Sequence, residues 1–247
     1  MKWRVPDDDV TRIQCWSGPR NISTALMYSW RSRPDTTVYD EPLYAHYLTH
    51  DDRGHPGVEE ILASQQHDAD EVIRDVILGP CDTPVLYIKQ MAHHLKQVDR
   101  THLAHTENIL LVRHPRDMLA SLSIQLPHCT LADTGLVESV ELLDAVLAEG
   151  GTPVVIETQA LLKNPAALLA EVCERVGLTF DPAALSWPAG PKPEDGAWAP
   201  YWYANVHAST GFTPYTPSTR TVPDRTRPVL AEAMPLFDRL TKYAIEV

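Results

Sequence analysis

Short apolar runs, each followed by a polar break and then by apolar positions at helical spacing, recur along most of this chain. The pattern predicts strands over Arg12–Trp16, Thr37–Asp40, Val85–Lys89, Ile109–Val112 and Val154–Ile156. Between them it predicts helices over Ser23–Arg31, Pro115–Gln125, Leu136–Ala148 and Pro165–Val176, with Gly177 as the stop of the last. One or two further helices fall between Val58 and Leu78, with Ile61, Leu62, Val72, Ile73, Val76 and Ile77 as core positions, and another begins near Met91. Helical spacing returns over Val229–Tyr243. Such alternation argues for an α/β domain built on a parallel sheet, with chemistry just beyond the carboxyl ends of its strands. After Gly177 the pattern changes: Trp187, Trp198, Tyr201, Trp202 and Tyr203 are interleaved with Pro188, Pro191, Pro193 and Pro200, which reads as a stiff aromatic loop.

Two strand-to-helix junctions carry candidate chemistry. In the first, the strand ending near Trp16 passes through Gly18, Pro19, Arg20, Asn21 and Ile22 into a helix opening at Ser23 and Thr24. Helix N-termini offer unsatisfied N–H groups and the positive end of the macrodipole, and Arg20, Ser23 and Thr24 add a charged fork and two hydroxyls. Standing alone, it reads equally well as an ordinary capped helix. In the second junction, the strand through Val112 ends in Arg113, Pro115 opens a helix, and Ser121 follows eight residues after the Arg. Two anion contacts from separate strand tips favour one shared anionic ligand over two unrelated capped helices.

These two segments resemble the nucleotide-binding signatures of the sulfotransferases that use 3′-phosphoadenosine-5′-phosphosulfate (PAPS). The resemblance implies that Arg20, Ser23 and Thr24 hold the sulfuryl end, while Arg113 and Ser121 grip the 3′-phosphate. It also implies a three-layer α/β/α fold with a central parallel sheet of P-loop NTPase-like topology. This chain has Arg20 where many members have Lys, and Ile22 in place of a small residue, so Ile22 is expected to point away from the ligand. A late family loop with Lys, Gly and Trp over the cofactor is matched loosely by Lys192, Gly196 and Trp198. The whole chain, 1–247, is read as one domain with an aromatic lid at 187–215.

The resemblance also implies a general base, either a His after the third strand or a Glu near the second. Glu41 follows the second strand, Lys89 closes the third, and His93 and His94 come soon after. Glu41 is taken first, His94 next and His93 third, because the family spacing Lys-x-His is lengthened here. Lys89 is expected at the oxygen bridging phosphorus and sulfur.

A nucleotide triphosphatase would need Gly-x-x-x-x-Gly-Lys-Ser/Thr, and the first loop has Gly18 but neither the second Gly nor the Lys. A magnesium-dependent phosphotransferase and a noncatalytic nucleotide binder stay as alternatives, and no metal is expected. The formal charge of −12 argues against a nucleic-acid surface, so an anionic nucleotide requires a local basic pocket. No apolar run approaches the roughly 18 residues of a membrane span, and the opening nine residues lack a secretory pattern, so a cytoplasmic location is expected. Cys15, Cys81, Cys129 and Cys173 lack metal-ligand spacing and read as free buried thiols. The expected partners are therefore the nucleotide cosubstrate and a small-molecule acceptor.

Overall fold

The computed structural model describes residues 3, 6, 9–51 and 54–247; most of the opening segment read above as lacking a leader lies outside them. The elements run β1 (Thr11–Ser17), α1 (Ser23–Arg31), β2 (Thr36–Asp40), α2 (Tyr44–Leu48), α3 (Val58–Ser64), α4 (Ala69–Val72) and β3 (Val85–Met91). They continue as β4 (Glu107–Val112), α5 (Pro115–Gln125), α6 (Leu136–Ala148), β5 (Val154–Glu157), α7 (Thr158–Lys163) and α8 (Pro165–Arg175). Two single-turn helices, α9 (Ala199–Trp202) and α10 (Ala204–His207), and the long α11 (Arg227–Thr241) complete the order.

The five strands form one parallel sheet in the order β2-β3-β1-β4-β5. Alternate side chains go to opposite faces. Leu86 and Ile88 of β3, Leu110 and Val112 of β4 and Val155 of β5 join one core with α5, α6 and α11. Val85 and Tyr87, Ile109 and Leu111, and Val154 and Ile156 join the other with α1 and α8. Both faces are covered, which explains why the strands read as nearly continuous apolar runs. Tyr44, Tyr47, Ile61, Trp198 and Tyr203 belong to a third, smaller cluster beside the β2–β3 end.

Element boundaries depart from the sequence reading where neighbours override local pattern. β3 continues through Met91, and a four-residue 3₁₀ turn, Ala92–Leu95, takes the place of the expected helix. The expected helical stretch up to Leu78 becomes α3, α4 and a π-helical segment, Ile73–Ile77, of which Leu62 and Val76 are only half-buried. The short α7 has no counterpart in the sequence reading. Cys15, Cys129 and Cys173 are buried free thiols, but Cys81 is half-buried, against expectation. No helix among the described residues is long and apolar enough to cross a membrane.

β1 sits at the centre with β3 and β4 on either side, so the chain leaves the sheet in opposite directions around it. A crevice opens there, beyond the carboxyl ends.

Candidate active site

A cavity of about 640 Å³ occupies this crevice. Pro19 to Ala25 from the β1–α1 junction, Lys89 from β3, His93 and His94 from the following turn, Arg113 from the end of β4 and Ser121 from α5 all line it. Glu41, Tyr44, Tyr47, Trp198, Trp202, Tyr203 and Arg220 complete much of the wall. Gly18 and Lys192 do not line it. The Lys192 ammonium instead donates to the carbonyls of Pro188 (2.7 Å) and Gly190 (2.8 Å) and lies 5.3 Å from the centre of the Tyr28 ring.

The β1–α1 loop is shaped by backbone strain. Arg20 (φ 64°) and Ile22 (φ 63°) both adopt the left-handed conformation, which L side chains rarely take and which costs on the order of 1–3 kcal/mol each. Tertiary bonds hold the loop there: Asn21 Nδ2 donates to the Leu111 carbonyl at 3.2 Å, and Thr158 Oγ1 donates to the Asn21 carbonyl at 3.3 Å. Gly18 permits a close approach, since a Cβ there would stand 2.1 Å from the Thr134 carbonyl oxygen. Ile22 packs against the apolar core yet also touches the cavity, so it is only partly turned away.

At the outer end, guanidinium groups converge. Arg113 Nη1 donates to the Arg20 carbonyl at 2.7 Å, and Arg20 Nε donates to Ser121 Oγ at 3.1 Å. Arg20 therefore lies with the Arg113–Ser121 pair, although the sequence reading separated them at opposite ends of a ligand. Burial and then the nearby Arg113 and Arg220 charges pull the Arg20 pKa below its ordinary value. Burial lowers that of Arg113 too, with Arg220 pushing the same way and Asp117 opposing. Clustered like charges in a cleft are costly without an anion, so an arrangement of this kind can receive one. Sequence reading missed Arg220; its one signal is that no other Lys or Arg occurs between Lys192 and Arg220.

At the inner end, Lys89 is 1% exposed and bonded on all three of its N–H groups. It donates to Asp40 Oδ1 (2.8 Å), to Tyr203 Oη (2.6 Å) and to Glu41 Oε1. Burial opposes its charge, but Asp40 and Glu41 outweigh that and hold its pKa well above the ordinary lysine range. Glu41 follows β2 directly and has φ 43°, an uncommon conformation made costlier by the following Pro42. Its backbone is pinned by N–H donation to the Lys89 carbonyl at 2.9 Å. Burial pushes the Glu41 carboxyl up, Lys89 pulls it back and Asp40 pushes again, leaving it at about 7.

His94 Nδ1 stands 3.9 Å from Glu41 Oε2. The His94 ring stacks on Tyr44 and on Tyr47, each at 4.7 Å, and His93 meets Tyr47 edge to face at 5.1 Å. Burial, then the charges of neighbouring His93, His55 and Lys89, hold His94 well below the usual histidine range, so it is neutral at pH 7. Tyr44 Oη and Tyr47 Oη are engaged by His55 and Asp51, which leaves largely ring surface for the cavity. Trp198 lies over Gly196, where a Cβ would stand 2.1 Å from the indole ring, and its Nε1 donates to Tyr203 Oη at 2.9 Å. The segment around it is fastened to α1 through Tyr28 Oη and Asp195 (2.7 Å) and through Arg31 and Glu194 (2.7 Å).

Comparison with known proteins addresses the family and the fold. Residues 11–244 match the family model described as Sulfotransferase domain. Two curated Arabidopsis thaliana proteins, named branched-chain-amino-acid aminotransferase-like proteins 1 and 2, are 34% and 33% identical over 94% and 92% of this chain. The match spans only about two fifths of their length, 42% and 41%. Among solved structures, the sulfotransferase from Alicyclobacillus acidocaldarius superposes with a TM-score of 0.55 at 14% identity, covering 94% of each chain. The sulfotransferase domain of the Synechococcus PCC 7002 olefin synthase gives 0.50 at 19% identity, covering 94% of this chain and 98% of its own. The sulfotransferase domain of the curacin biosynthetic pathway gives 0.51 at 14%, with the same coverage. The strand order and the family match together show that this chain belongs to the sulfotransferase domain family.

Proposed function

We propose that the cavity transfers a sulfuryl group from PAPS to a hydroxyl or amine of a small-molecule acceptor. The observation that carries this reading is that one cavity joins the Arg20, Arg113 and Arg220 end to the buried Lys89–Glu41 pair. The guanidinium groups and Ser121 suit the phosphates of the nucleotide, and Arg113 with Ser121 suits its 3′-phosphate. The N–H groups opening α1, with Ser23 and Thr24, face the 5′ end. The acceptor's oxygen or nitrogen attacks sulfur as the bond from sulfur to the 5′-phosphate oxygen breaks. Glu41 Oε2 takes the acceptor's proton, and the Lys89 ammonium offsets charge growing on the departing oxygen. The products are the sulfated acceptor and adenosine 3′,5′-bisphosphate. Fixed cations serve this transfer, so no metal is assigned. The aromatic segment 187–215 caps the acceptor end of a single domain.

Calorimetric titration tests the donor. Adenosine 3′,5′-bisphosphate should bind without magnesium and at least about tenfold more tightly than ATP, since one charge-assisted contact to the 3′-phosphate is worth about 1.5–3 kcal/mol. Equal affinities, or ATP binding that requires magnesium, would overturn it.

A further inference from the structure

The inner end of the cavity holds two carboxylates for one ammonium. Asp40 and Glu41 are adjacent in sequence, both buried, and both bonded to Lys89. Their surroundings differ. Asp40 does not line the cavity. Its Oδ1 accepts from Lys89, and its Oδ2 accepts from Tyr203 Oη at 2.7 Å and from the Gly196 N–H at 3.3 Å. Tyr203 Oη is likewise saturated: it donates to Asp40 and accepts from Lys89 and from Trp198 Nε1. Glu41 does line the cavity, and among the described residues no hydrogen bond is seen to its Oε2, from which His94 Nδ1 stands at 3.9 Å, beyond hydrogen-bond reach.

We propose that Asp40 is a positioning residue: it shares the Lys89 ammonium with Glu41, fixes it through the Tyr203 hydroxyl, and so leaves the outward oxygen of Glu41 free to take a proton from the acceptor. Lys89 and the Asp40–Tyr203–Trp198 chain then form one unit, which ties the aromatic segment to the reacting group. The groups facing Glu41 are Asp40 at the end of the preceding β2, Lys89 on β3, His94 on the turn after β3, Tyr44 on α2 and Tyr203 beyond α9. Of these, Asp40 is the one whose negative charge opposes ionisation of Glu41, and it supports the midpoint of about 7. The role of Glu41 as proton acceptor rests on the sulfotransfer reading; the sharing of Lys89 does not.

The test is a pH titration by NMR of the full chain labelled with carboxyl-¹³C glutamate, with Glu41→Gln identifying the Glu41 signal. In Asp40→Asn the Glu41 midpoint should fall by about one pH unit or more, a tenfold change in proton affinity, because the opposing charge is gone and Lys89 turns wholly to Glu41. In Tyr203→Phe the midpoint should shift, because Asp40 loses a donor and Lys89 an acceptor, which changes how the two carboxylates share the ammonium. Where transfer is measurable, the acid limb of the pH–rate profile should move with the midpoint. Unchanged midpoints in both variants, with activity reduced equally at every pH, would make Asp40 merely structural and overturn the proposal. Should Asp40→Asn fail to fold, Tyr203→Phe decides: a shifted Glu41 midpoint supports the proposal, and an unchanged one overturns it. Failure of the sulfotransfer reading registers separately, as absent bisphosphate binding in calorimetry, while the NMR midpoints stay readable.

Discussion

The two ends of the cavity handle charge in opposite ways. At the outer end Arg20, Arg113 and Arg220 crowd together, and the polar contacts of Arg20 and Arg113 go to a neutral hydroxyl and a carbonyl. At the inner end Lys89 is sealed among Asp40, Glu41 and Tyr203, with every N–H used. One end is rich in positive charge, which on the proposed function an anion of the ligand would offset. At the other the ammonium is partnered within the fold by Asp40 and Glu41, because a buried ion left without partners would cost several kcal/mol. Binding and chemistry are thereby assigned to different residues of one cleft, and substitutions should separate them.

The sharpest test of that separation is Glu41→Gln. It should lower single-turnover sulfation by about 10²–10⁴ while calorimetric affinity for adenosine 3′,5′-bisphosphate stays within about threefold. A comparable loss of affinity would show the ends to be one unit. Conversely, Arg113→Ala should weaken the bisphosphate by about a hundredfold, yet barely affect adenosine 5′-phosphate, which lacks the group that Arg113 is assigned to hold. Equal losses for both nucleotides would remove that assignment.

Acidity provides a smaller effect. A base must be ionised, so kcat/KM should be on its plateau above the Glu41 midpoint of about 7 and fall roughly tenfold for each pH unit below it. If this limb persists in Glu41→Gln and disappears in His94→Asn, the base is His94. The smallest effect is expected of Arg220→Ala, about five- to tenfold in bisphosphate affinity with a shallower dependence on salt, because Arg220 sits on a loop rather than at a strand tip. An affinity unchanged at low salt would exclude Arg220 from the anion end.

The same contrast governs what could be read from sequence. Arg20, Arg113 and Ser121 stand on strand–turn–helix junctions, where local spacing encodes position, and all three meet in the cavity. The five strands were legible for the same reason. Asp40 and Tyr203 were not legible as partners because 163 residues separate them, and no periodicity reports such a contact. The end of β3 was hidden for a different reason: Lys89 and Gln90 break the apolar run in the sequence, yet both are buried and the strand continues through Met91. The late loop misled through residue type. Lys192 carries the expected charge, but its ammonium closes a turn of its own chain, whereas Arg220 in a Thr- and Pro-rich stretch reaches the cleft.

The indole of Trp198 resting on Gly196 makes one wall of the cavity depend on a residue that does not line it. Any side chain at 196 would have to displace that ring, and the ring is itself part of the wall. A single methyl introduced there would therefore move one wall of the cavity, and on the proposed function position 196 becomes a handle on the size of molecule admitted.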